Sequence, residues 1–133
     1  MASAVVSDNF ETSTGGIPQL GGASVESRLC KAWVAFQVPG GVVSIKGSYN
    51  VASVTDNGVG DFTVNFTTAM TDANYATTVS LSADAQVTWG ARAILNHAKP
   101  DTSTPPTTSS VRFLAGNGGD FDPDYSNVVI HGN

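Results

Sequence analysis

Asp61-Phe62-Thr63-Val64-Asn65-Phe66, entered through Thr55-Asp56-Asn57-Gly58-Val59-Gly60 and left toward Asp72-Ala73-Asn74-Tyr75, is the stretch that decides the fold of this chain. Side chains alternate sides along a β-strand, so Phe62, Val64 and Phe66 fall on one face and Asp61, Thr63 and Asn65 on the other. The first face is expected to pack and the second to meet water. Ahead of it, Asp56, Asn57 and Gly58 carry a reversal signal, because glycine accepts positive φ while asparagine and aspartate hydrogen-bond their own backbone. A β-hairpin is the expected unit.

Working outward, further short extended runs appear in both directions. Ser27 through Phe36 suits a first strand closed by Pro39-Gly40-Gly41, Val42 through Lys46 suits its return, and Tyr49-Asn50-Val51 starts another after Gly47. Tyr75, Thr77, Val79 and Leu81 alternate in the same way. Val87 through Leu95 also reads as extended, since Thr88 and Gly90 interrupt the helix that its alanines invite. Lys99 through Thr108 is a loop, because the consecutive Pro105 and Pro106 lack donors and resist a sheet interior; it is expected to project from the core. Ser110 through Leu114 and Val128 through His131 supply the last strands, separated by a loop from Gly116 to Pro123. The succession predicts an all-β fold, a compact antiparallel β-sandwich or barrel-like domain.

Residues 1–24 form an N-terminal segment of different character, ahead of a β domain spanning residues 25–133. Gly15-Gly16, Pro18 and Gly21-Gly22 punctuate any regular element there. Val5, Phe10, Ile17 and Leu20 give the segment apolar contacts suited to an assembly arm lying across a neighbouring subunit. An ordinary chain terminus is the plainer alternative.

The 133 residues suffice for one modest core and show no compositional break between two domains. Asp, Glu, Lys and Arg make up only 13%, so the exterior relies on Ser, Thr, Asn, Gln and Gly. A formal charge of −5 with scattered basic residues argues against a broad grip on nucleic-acid phosphates or on an anionic membrane. Neither nucleic acid nor membrane insertion is expected. Met1 through Ser7 has neither the basic head nor the apolar run of a secretory signal. Cys30 is the sole cysteine, which excludes an intrachain disulfide and a multi-cysteine zinc site; a small buried hydrophobe is its expected role.

Catalytic chemistry has little to stand on in the sequence. His97 and His131 are the only imidazoles, and neither stands beside an evident activated nucleophile with an orienting partner. Asp120, Asp122 and Asp124 alternate and offer oxygen ligands, but calcium requires about six to eight of them and no closing glutamate accompanies the run. An acidic solvent-facing loop is expected there. No cofactor, no metal and no enzymatic activity are expected.

Lys31 through Phe36, Ser48 through Val54 and Thr55 through Phe66, continuing to Tyr75, resemble a recurring module of bacteriophage tail-fibre and related virion proteins. Residues 27–133 are the span of that resemblance, strongest over the segments just named. It implies a noncatalytic virion structural protein, commonly a homotrimer, made in the host cytoplasm and built into the particle with phage tail or capsid proteins as partners. A host-surface glycan is a further partner of a tail module. The chain lacks the long repetitive shaft of a tail fibre, which opens a second placement, a free-standing head-decoration or cement protein. A cellular carbohydrate-binding protein of similar architecture is the reading outside the virion. Within the resemblance, Trp33, Phe36, Tyr49, Phe62 and Phe66 are assigned to core or subunit packing, Asp56, Asn57 and Gly58 to the turn, and Asp61 to nearby backbone donors.

Overall fold

A computed structural model describes residues 19–20, 23–24, 29–82, 92–95, 104–116 and 121–132. Ten strands run through them: β1 (Gln19–Leu20), β2 (Ala23–Ser24), β3 (Cys30–Gln37), β4 (Ser44–Tyr49), β5 (Val51–Gly58), β6 (Asp61–Phe66), β7 (Ala76–Ser82), β8 (Arg92–Leu95), β9 (Ser110–Gly116) and β10 (Tyr125–His131). Two four-stranded antiparallel sheets result. The first has the order β4-β3-β10-β7 and the second the order β5-β6-β9-β8. Among the described residues β1 and β2 pair only with each other, Leu20 opposite Ala23, so the N-terminal segment holds a short antiparallel pair where irregular chain was expected.

The period-two reading of β6 holds on its apolar side. Phe62, Val64 and Phe66 are buried, and β9 matches them with buried Val111, Phe113 and Ala115. From the first sheet come Ala32, Val34 and Phe36 of β3 with Val128 and Ile130 of β10, and all of these join one hydrophobic cluster. Phe62 is its hinge point: its ring meets Phe36 of the first sheet edge-on at 5.5 Å and Phe113 of its own sheet at 5.7 Å. Burying a side chain of that size contributes about 2–3 kcal/mol, and cross-strand aromatic contact adds about 1 kcal/mol. The most buried strands are central in their sheets, whereas edge strands β4 and β7 keep half or more of their residues in water.

The chain passes from the first sheet to the second at Asn50, between β4 and β5. Asn50 adopts φ 53°, a left-handed conformation that asparagine tolerates better than other non-glycine residues. Its side chain locks the passage: Nδ2 donates to the carbonyls of Lys31 (3.1 Å) and Thr68 (3.2 Å), and Oδ1 accepts from the Thr68 amide (2.8 Å). Asn50→Ala removes these bonds and strains the backbone, and should cost about 2 kcal/mol, while Asn50→Gly keeps the conformation and should cost about half as much. Urea unfolding midpoints of the two variants check the ordering.

The tight reversal between β5 and β6 falls at Val59-Gly60, immediately after the Asp56-Asn57-Gly58 signal. Asp56 and Gly58 belong to β5 and flank an irregularity in its register with β6. The aspartate still acts as a turn residue, since Asp56 Oδ1 accepts from the Gly58 amide at 2.8 Å. Gly60 takes the left-handed conformation at φ 69° and packs under β9 and Phe121. The residues read as the reversal thus form an irregularity at the end of β5, and the turn follows them at Val59-Gly60, where Gly60 packs against β9.

Candidate functional site

Cross-strand partners share a face, and on the outer side of the first sheet Trp33 of β3 lies opposite Tyr49 of β4 and Val129 of β10. Trp33 and Tyr49 are exposed, at 40% and 58%. The next outward row is Gly47, Ala35 and Asn127. Gly47 matters because a Cβ at this position would stand 3.2 Å from Trp33 Cη2 and 3.3 Å from Cζ3: glycine lets the indole settle against the strand. Leu29, exposed at 56%, stands just ahead of β3, while Ile45 of edge strand β4 is 41% exposed but pairs with Phe36 and so belongs to the opposite face. Of the five aromatics assigned to core or subunit packing, Phe36, Phe62 and Phe66 lie in the core, whereas Trp33 and Tyr49 lie outside it.

Charge is distributed unevenly between the sheets. The four strands of the first sheet contain Lys31 and Lys46, with His131 at the end of β10, and hold none of the eleven acidic residues. In a chain of net charge −5 this is a locally basic surface. Lys31 shares the outward parity of Trp33 on β3, and Lys46 and His131 are exposed.

The outer face of the second sheet is polar and internally bonded. Asn65 Nδ2 donates to Thr55 Oγ1 (2.9 Å) and Ser53 Oγ (3.1 Å), and Asn57 Nδ2 donates to Thr63 Oγ1 (2.9 Å). Asp61, expected to meet water, is buried. Arg112 on β9 covers it with a fork of two bonds, Nε to Oδ1 at 2.7 Å and Nη2 to Oδ2 at 2.5 Å. The guanidinium pKa is raised above its ordinary value by that hydrogen bond. Arg112 satisfies a carboxylate from 51 positions away, a separation that no local pattern discloses. Its Nη1 also reaches Thr104 Oγ1 at 3.4 Å.

The described part of the proline loop is tied down rather than projecting. Tyr75 donates its hydroxyl to the carbonyls of Thr107 (2.8 Å) and Ser110 (3.0 Å), and the Met70 amide donates to Thr108. Burial pushes the Tyr75 phenol up to about 12, opposed by its bond to Thr107. The folded pKa lies above the unfolded 10.0, so the stabilisation from the neutral phenol is complete below pH 10 and is lost as pH rises from 10 toward 12. Tyr75→Phe should remove that part of the alkaline loss, seen as a smaller drop in urea midpoint between pH 9.5 and 11 than the parent shows.

The remaining candidates fall as follows. Asp122 of the acidic run is engaged, its Oδ1 accepting from the Gly60 amide at 2.9 Å, and Asp124 is exposed. Asp120 lies outside the described residues, and among those described no three acidic, histidine or cysteine side chains group as metal ligands. Cys30 is half-buried as a free thiol, with Sγ 3.3 Å from the Ala32 carbonyl. Val5, Phe10 and Ile17 of the arm, and His97, lie outside the described residues, while Leu20 sits in β1. Among the described residues no helix is long and apolar enough to cross a membrane.

Comparison of the chain with protein-family models, curated proteins and solved structures found no match.

Proposed function

We propose that the chain is a noncatalytic structural module of a bacteriophage virion, in which the two sheets close as a β-sandwich and function consists of contact. The outer face of the first sheet carries this reading. An indole and a phenol stand in water on paired strands, with Val129 across from the indole, and exposed apolar surface of this kind marks interaction sites. The sequence resemblance to tail-fibre modules supplies the virion, the trimeric state and the tail or capsid partners. Labelled antibody against the chain, imaged on intact virions, tests the placement: regular labelling of tail tip or shell is expected, and no labelling of particles made while the chain is expressed would refute it.

A second reading draws on the same aromatic pair. Trp33 and Tyr49 are outside the core and can offer ring faces to a sugar, with Asn127 nearby for hydroxyls. Saturable binding to purified host glycans, lost in Trp33→Ala and without association to virions, would favour it.

A further inference from the structure

We infer that the outer face of the first sheet, centred on Trp33 and Tyr49, receives residues 5–11 of the N-terminal segment of a neighbouring copy. The inference rests on the assembly reading above and names the partner of that face.

Chemical complementarity selects the occupant. The face offers aromatic and aliphatic surface beside Lys31 and Lys46, without a carboxylate on any of its four strands. Residues 1–24 contain Asp8 and Glu11 and neither lysine nor arginine. Their acids bracket Phe10 and follow Val5-Val6, so apolar and acidic groups come in one short run. Phe10 matches the Trp33–Tyr49 surface by edge-to-face contact, while Asp8 and Glu11 match the two lysines. Such exposed ion pairs are individually weak, so Phe10 burial supplies most of the attraction and the charges set the orientation.

The length of the segment allows it to reach another copy. Residues 1–18 could extend up to about 60 Å, several times the roughly 15 Å width of a four-stranded sheet. A segment of that length can reach the same face on an adjoining copy, which the assembly reading above places beside it.

The test uses full-length chains, one population isotopically heavy and one light, mixed and treated with a zero-length carbodiimide that joins lysine amines to carboxylates. Peptides linking Lys31 or Lys46 to Asp8 or Glu11 are expected, with heavy–light pairs among them. Phe10→Ser and the pair Lys31→Glu with Lys46→Glu should each reduce these links at least fivefold. Association lost in the lysine pair variant should be restored when Asp8→Lys and Glu11→Lys are added to the same chain. Native mass of the same mixture separates the two claims. A trimer without these links overturns the arm contact and leaves assembly standing; heavy–light links in a dimer keep the contact and overturn the trimer. Links confined to heavy–heavy and light–light pairs would place the segment on its own face, and a monomer without links would defeat both.

Discussion

Phe62→Ala should destabilise the chain by about 3–5 kcal/mol, the range for removing a fully buried ring from a core that relaxes only in part. Phe62 has no exposed surface and meets Phe36 and Phe113, whose own centroids stand 6.4 Å apart. Its loss leaves a cavity where the two sheets share their core. Against a total of about 5–15 kcal/mol for a domain, that is a large fraction of the stability. The thermal midpoint should fall by roughly 10–20 °C. Phe62→Leu retains most of the volume and should lose only about 1–2 kcal/mol. A Phe62→Ala protein melting within a few degrees of the parent would show that the sheets do not depend on this ring.

Gly60→Ala should be about as damaging, for a different reason. A Cβ here would lie 2.4 Å from the Ala115 carbonyl oxygen and 2.9 Å from the Phe121 amide nitrogen. Both are backbone atoms that cannot rotate away. The same glycine donates to Asp122 and accepts from the Ala115 amide at 2.7 Å, so any shift disturbs the joint between the β5–β6 turn, β9 and the 121–124 segment. We expect a loss of about 3 kcal/mol or more, of which the left-handed conformation itself accounts for about 1–2 kcal/mol. Gly40→Ala isolates that part. Gly40 has φ 63° with nothing within 4 Å of its would-be Cβ, so it should lose only the conformational share. Equal unfolding midpoints for the two variants would mean that β9 yields easily.

Much of this architecture was legible in alternation. Phe62-Val64-Phe66 gave the inner face of β6 because period-two burial is a local property, and Tyr75 through Leu81 gave β7 in the same way. Position within the sheets was not local. Trp33 and Phe36 stand three residues apart on one strand, and only the pairing of β3 between β4 and β10 decides that Phe36 faces the core while Trp33 faces water. The Asp61–Arg112 fork and the Tyr75 bonds to the 107–110 turn join residues far apart in sequence, and a carboxylate in an alternating strand reads as solvated until its partner is known. Asn50, read with Tyr49 and Val51 as the start of one strand, instead separates β4 from β5, because its left-handed backbone is held by bonds to Lys31 and Thr68, 19 and 18 positions away. The turn signal at Asp56-Asn57-Gly58 was chemically sound, and the reversal follows it at Val59-Gly60, where Gly60 packs against β9.

The outer face of the first sheet is where the fold meets function in this account. Its aromatics are a poor expense for a monomer in water, and its lysines stand opposite in charge to the chain as a whole. Sedimentation equilibrium of the full-length chain across a range of concentrations, compared with Trp33→Ser and Tyr49→Ser, tests this most directly. The account predicts a species of three times the 13.6 kDa chain mass that both substitutions shift toward monomer by at least tenfold in concentration, with their circular dichroism unchanged. A parent chain that stays monomeric throughout, or a trimer indifferent to both substitutions, would contradict it.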